Sequence, residues 1–309
     1  MAFSAPAGHV PGMDAVTASN RTSASGLRPE DHEVDLFGIT HQGRVRKENQ
    51  DHFLVATVHP NIMVHGSSLP DVASLPLKGG RLATILLVAD GVGGADDGGT
   101  AARVATESVM RYVASSLRSY HAMSGSVSDD ESFYSELQDA ALKAHDAVRA
   151  EAAARGDHAR LATTMTLGIV VYPWMYVVQV GDSRAYIHTH GKLQQITRDQ
   201  TVAQQLVDEG VMKARDLRRS PLNNVLASAI GGDEAMPVVS RVDVSERGCI
   251  VLLCSDGLTK HVSDEEIEHA CGTAESAERL CRGLVDLALE RGGSDNVTVV
   301  VGRAPLRRR

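Results

Sequence analysis

The sequence predicts an α+β fold built on antiparallel sheets. Strand-like apolar runs come in clusters, without the regular alternation with helices that a parallel sheet requires. Two pairs of runs are joined by short turns, Pro173-Trp174 and His190-Gly191-Lys192, as in hairpins. Helical periodicity is confined to two neighbouring segments mid-chain, a polar stretch after the hairpins and a pair near the end.

Residues 1–33 are rich in Ala, Ser, Gly, Pro and Thr and read as a disordered leader. Strand-like runs follow at 34–39 and 53–58. Residues 59–80, with Pro60, Pro70 and Pro76, read as a loop or hairpin excursion. A third strand fits 82–89. Ala101, Val104, Ala105, Ser108, Val109 and Val113 then recur at helical spacing, and 132–155 is a second, Ala-rich helix starting at Ser132. Further strands fit 163–172, 175–180, 184–188 and 193–196. Residues 200–221 turn helical and polar, ending at Ser220-Pro221. Strands at 238–244, 250–254 and 297–301 and helices at 264–270 and 274–290 complete a domain spanning 34–303, and 304–309 form a basic tail. No internal repeat is visible.

Composition narrows the function classes. A hydrophobic share of 43% in 309 residues is ample for a core, and with aromatics at 4% that core is built from Val, Leu, Ile and Ala. A net charge of −8 argues against a nucleic-acid partner and favours solubility; the tail arginines 307–309 read as a solvated terminus. Cys249, Cys254, Cys271 and Cys281 form no C-x-x-C pair, so they read as buried thiols in a reducing compartment. No apolar run approaches the ~18 residues that span a bilayer, and no secretory signal is apparent. The expectation is a cytoplasmic monomer with no membrane contact.

Four acidic motifs sit at the ends of strand-like runs: Asp90-Gly91 after 85–89, Gly181-Asp182-Ser183 after 175–180, Ser255-Asp256-Gly257 after 250–254, and Asp295-Asn296 before 297–301. Singly, each reads first as a turn, because Gly supplies positive φ and Asp bonds its own backbone. Together, carboxylates at the ends of buried strands converge on one rim, and hard oxygen ligands there suit Mg²⁺ or Mn²⁺. In Asp90-Gly91-Val92-Gly93-Gly94 the glycines allow close backbone approach to a ligand, so the Gly91 carbonyl is a further candidate. The segment lacks the Lys-Ser/Thr ending of a P-loop and does not match G-x-G-x-x-G, which argues against a nucleotide cradle. Upstream lies Thr40-His41-Gln42-Gly43-Arg44-Val45-Arg46-Lys47-Glu48-Asn49-Gln50-Asp51. An Arg beside a metal cluster suits a phosphate ligand, although alone this segment reads as a solvated turn.

These motifs, in this order, resemble the metal-dependent protein serine/threonine phosphatases of the type 2C (PPM) class in its bacterial form. Residues 40–51 match the family's T-D-x-G-x-x-R-x-x-N-[EQ]-D except at His41. Asp90–Gly94 match D-G-x-G-G, and Gly181–Tyr186 match G-D-S-R-x-Y. Leu193–Thr197, Ser255–Thr259 and Gly292–Thr298 match L-x-Q-[IL]-T, S-D-G-L-T and G-G-x-D-N-V-T. Leu161-Ala162-Thr163-Thr164 is a degenerate M-G-T-T. The likeness runs from Val34 to Gly302.

The resemblance implies a β-sandwich of two antiparallel sheets flanked by helices on both sides, with a flap near 200–221. It implies hydrolysis of phosphoserine and phosphothreonine by direct attack of a hydroxide held between two Mn²⁺ or Mg²⁺ ions, with a possible third ion. Asp90 would bridge the core ions, the Gly91 carbonyl would bind the second, and Asp256 with Asp295 would complete the first. Asp182 with Asp256 would hold the third ion, Asp51 would act near the second through water, and Arg46 would clamp the phosphate. Asn296 and Ser255 would orient ligands. Partners would be phosphorylated proteins, targets of serine/threonine kinases or the kinases themselves. Three positions depart from the family pattern: His41 for Asp, Val92 where eukaryotic members often carry His, and Gln200 for the His of D-H-T. The rival expectations are a phosphopeptide-binding module without turnover, which lost carboxylates would mark, and a hydrolase of small phosphoesters.

Overall fold

A computed structural model describes residues 28–61, 64, 78–93, 97–123, 129–156 and 160–304. Most of the leader, most of the 59–80 excursion, Gly94 and residues 305–309 lie outside the described residues.

Two five-stranded antiparallel sheets form the centre. The first contains β1 (Asp35–His41), β12 (Val297–Arg303), β11 (Ile250–Cys254), β8 (Arg184–Thr189) and β9 (Lys192–Gln195), in that order. The second runs β10 (Val238–Asp243), β7 (Trp174–Val180), β6 (Met165–Val171), β3 (Ala83–Ala89) and β2 (His52–Val58). A two-stranded ribbon pairs β4 (Gly91–Val92) with β5 (Ala162–Thr163). The strands follow the apolar runs closely. The run expected as one strand over 163–172 is split at Thr164, because the Thr164 amide turns to donate to the Asp90 carbonyl.

Helices cover both outer faces. On the second sheet, α1 (Asp97–Met123) and α2 (Asp129–Arg155) bury Ala101, Ala105, Val109, Leu137 and Ala144 against Ile85, Leu87, Leu167 and Tyr176. On the first, α5 (Asp264–Thr273) and α6 (Ala277–Glu290) bury Ile267, Leu280 and Leu284 against Leu252, Val299 and Val301. A third core lies between the sheets, where Leu86, Val88 and Val177 meet Ala185, Val251, Leu253 and Val300. The alternation of each strand thus feeds two apolar layers, which explains why the central runs are apolar throughout. The four cysteines are buried and free; Cys254 belongs to the outer core of the first sheet and Cys249 to the inter-sheet core.

The described residues ahead of Val34 are anchored to the domain. Asp31–Glu33 form a short 3-10 helix, Glu33 is paired with Arg247, and buried Arg81 donates to the Pro29 carbonyl. The 200–221 region is helical as expected, but in pieces: α3 (Val202–Asp208) and 3-10 turns at Ala214–Arg219 and Pro221–Asn224.

Candidate functional site

Antiparallel register decides where the acids meet. β3 ends beside the start of β2, with His52 opposite Ala89. β7 ends beside the start of β6, with Met165 opposite Val180. β11 ends where β8 and β12 begin, with Cys254 opposite Arg184 and Val299. Asp90, Asp51, Asp182, Asp256 and Asp295 each lie just beyond such a terminus, so all five fall at one end of the sandwich. A cleft there is lined by Arg46, Asp90, Gly91, Asp182, Asp256, Lys260 and Asp295, among others, and Asp51 is buried behind it.

The scaffold holds these groups through backbone as much as side chains. Thr163 Oγ1 donates to the Asp90 carbonyl at 2.8 Å, and the Asp90 amide donates to Thr164 Oγ1 at 3.0 Å. A side chain at Gly91 would meet the Gly98 backbone at 2.4 Å, and one at Gly257 would meet the Asn296 carbonyl at 1.8 Å. The glycines of both motifs are therefore required by close backbone approach. Asn296 accepts from the Gln50 amide and donates to the Gln42 and Glu48 carbonyls, which ties the 42–50 loop to the start of β12. Ser255 Oγ and Thr298 Oγ1 donate to Asp51 Oδ2 at 2.7 and 2.6 Å.

The three sequence departures have structural places. His41 is exposed, and its Nδ1 accepts from the Gly43 amide, which closes the turn after β1. Gln200 accepts from the Gly181 amide and donates to the Met236 carbonyl, so it fastens the Asp182 turn to the approach of β10. Val92 is partly exposed at the cleft wall. The Arg of G-D-S-R, Arg184, is committed to a two-pronged pair with Asp199 and does not point to phosphate binding.

Charge is unevenly compensated. Burial, then the charges of Asp51 and Asp256, hold Asp90 well above the usual carboxylate range. Burial likewise raises Asp182 to about 8, and raises Asp51 to about 6 against the two hydroxyl donors. For Asp295 burial also pushes upward, but hydrogen bonds from Arg46 and Lys260 outweigh it and its pKa is lowered. Arg46 meets Asp295 through Nε at 2.7 Å and Nη2 at 2.8 Å. Lys260 Nζ lies 2.6 Å from Asp256 Oδ2 and 2.7 Å from Asp295 Oδ2.

The donor set suits a hard divalent cation: carboxylates, a tightly packed Gly91 backbone, and buried oxygens (Asp51 Oδ1 and Asp256 Oδ1) with no hydrogen-bond partner. Among the described residues, no three His, Cys, Asp or Glu side chains are arranged to hold an ion as they stand. The ammonium of Lys260, between Asp256 and Asp295, accounts for this on that side. Lys260 and Thr298 escaped the sequence reading. The i,i+4 spacing of Asp256 and Lys260 was the available signal, usable only once α4 (Asp256–Thr259) is known to be a helix. Thr298 closes the G-G-x-D-N-V-T match, but its bond to Asp51 emerges only from the fold.

The sequence profile of the family described as Protein phosphatase 2C matches residues 73–286. This chain belongs to the type 2C protein phosphatase family. A relative, the serine/threonine protein phosphatase PstP of Mycobacterium tuberculosis, is 35% identical over 222 residues, which is 71% of this chain and 40% of that protein. The chain thus spans less than half the length of that relative. The serine/threonine phosphatase stp of Listeria welshimeri is 27% identical over 70% of this chain and 83% of its own. Among solved structures, the catalytic domain of PstP in complex with two manganese ions aligns with a TM-score of 0.66 at 28% identity, covering 88% of this chain and 99% of that one. The two-sheet α+β architecture is therefore that of the type 2C family.

Proposed function

We propose that this chain is a metal-dependent protein phosphatase that hydrolyses phosphoserine and phosphothreonine. The observation that carries the reading is the convergence of five aspartates and Arg46 at one end of the sandwich, with three of the acids raised by burial first and by neighbouring carboxylate charge second. Such a cluster is stable as carboxylates only with added positive charge. The manganese complex of PstP supports Mn²⁺ or Mg²⁺ as that charge.

When bound, such ions supply an activated water and positive charge for the transferring phosphoryl group. Asp90, the Gly91 carbonyl, Asp256 and Asp295 would hold two such ions, and Asp182 with Asp256 would hold a third. Asp51, held by Ser255 and Thr298, would orient the ligands around such an ion. Arg46 is half exposed, so its guanidinium can exchange Asp295 for a phosphate oxygen pair of the substrate. The cysteines take no part, as burial pushes Cys249, Cys254 and Cys271 each up to about 12. Retention of every acid favours turnover over a phosphopeptide-binding module.

The substrates in this reading are phosphorylated proteins, including kinases and their targets, met by a cytoplasmic monomer. Among the described residues no helix is long and apolar enough to cross a membrane. The test is phosphate release from phosphoserine and phosphothreonine peptides with Mn²⁺, with Mg²⁺ and with chelator. Release that depends on the ion and is lost in Asp256→Asn is expected; no release with either ion would sink the reading.

A further inference from the structure

The cleft carries a cation of its own. Lys260 follows α4 directly, four residues after Asp256, so its stem runs back over the helix start. Its Nζ touches Asp256 Oδ2 at 2.6 Å and Asp295 Oδ2 at 2.7 Å, with the side chain about one-third exposed. Arg46 holds both oxygens of Asp295, Nε on Oδ1 and Nη2 on Oδ2, and shares Oδ2 with Lys260. Of the four carboxylate oxygens on these two residues, three accept from a cation and the fourth, Asp256 Oδ1, is buried without a partner.

An ion on Asp256 Oδ2 and Asp295 Oδ2 needs the lone pairs that Lys260 now uses. Ammonium and divalent ion also repel strongly at such separations in a partly buried site. The two occupants are therefore mutually exclusive at Asp256 Oδ2 and Asp295 Oδ2. Lys260 has somewhere to go: it also lines an adjoining cleft that shares Asp182 and Asp256 with the first and is walled by Thr259 and by Asp199 and Asp264, the partners of Arg184. Its four-carbon stem is flexible, unlike the fixed fork of Arg46.

We propose that Lys260 is a resident counter-ion of this site, which a divalent metal must displace from Asp256 and Asp295. The inference rests on the phosphatase reading for the metal itself. Its consequence is that Lys260 stabilises the metal-free protein and weakens metal binding.

The experiment is Mn²⁺ calorimetry on the full chain, paired with thermal unfolding in chelator, for wild type, Lys260→Met and Lys260→Arg. Lys260→Met removes the charge and keeps the stem. It should bind Mn²⁺ about tenfold more tightly, equivalent to about 1.4 kcal/mol, and melt about 2–4 °C lower in chelator. Lys260→Arg keeps the charge and should stay within about threefold of wild type in affinity. Lys260→Gln substitutes for Lys260→Met if the latter does not fold. An affinity for Lys260→Met equal to or weaker than that of wild type would overturn the exchange while leaving the metal site intact. Absence of Mn²⁺ binding in every protein would overturn the phosphatase reading and this inference with it.

Discussion

The two sheets deliver their acids to the same cleft in opposite electrostatic conditions. Asp256 and Asp295, at the ends of β11 and β12, meet Lys260 and Arg46 at hydrogen-bond distance. Asp90, at the end of β3, feels burial and then the charges of Asp51 and Asp256; Asp51, at the start of β2, feels burial and the charges of Asp256 and Asp295, and each is pushed toward the protonated form. Asp182, on the turn between the sheets, behaves like the second pair. The first-sheet half is neutralised by the chain itself, whereas the second-sheet half has no such counter-charge at hydrogen-bond distance among the described residues.

The largest expected effect is at Asp90. Asp90→Asn removes the central uncompensated charge, so phosphate release with Mn²⁺ should fall by at least about 100- to 1,000-fold, while the melting temperature in chelator rises. Activity equal to wild type would remove Asp90 from the metal site. A higher melting temperature without loss of activity would show that its charge is only a burden. Asp51→Asn should behave similarly on a smaller scale. The amide oxygen still accepts from Ser255 or Thr298, so the loss should be about 10- to 100-fold, as for groups that orient ligands. If Asp51→Asn lowers stability in chelator, burial is not what strains this half.

This division was only partly legible in the sequence. The strands were, because each apolar run between an acid and a turn is long enough to fill two cores and too short to be a long helix. The shared rim was also legible, since antiparallel pairing returns alternate strand ends to one side. What escaped depended on contacts between distant segments. Lys260 gains meaning only when Asp256 starts a helix and Asp295 is brought opposite. The break at Thr164 arises from a hydrogen bond to a carbonyl 74 residues away in sequence. The anchoring of Pro29 and Glu33 follows from Arg81 and Arg247, neither of which marks the leader in sequence.

Arg46 tests the neutralised half. Arg46→Ala should raise KM for a phosphopeptide by about tenfold or more, as expected for a lost charge-assisted contact, with a smaller fall in kcat. Because Lys260 still holds Asp295, stability in chelator should change little. An unchanged KM would leave Arg46 as a partner of Asp295 alone. A steep loss of stability would show that Lys260 does not suffice to neutralise that carboxylate.

The smallest effect isolates burial from the cluster. His188 on β8 is 7% exposed, with no hydrogen-bond partner on either ring nitrogen. Burial lowers its pKa, which the charge of Glu268 offsets only in part. A base whose folded pKa lies below the unfolded value near 6.5 takes up its proton preferentially when unfolded. Its contribution therefore destabilises the fold as pH falls below that value and vanishes above it. Between pH 7.5 and 5.5 the wild type should lose a degree or two of melting temperature (about 1–3 °C) that His188→Phe retains. Equal slopes would mean that burial without a partner is tolerated here at no cost in stability. In that case the raised acids of the cleft would owe their shifts to one another more than to the interior that surrounds them.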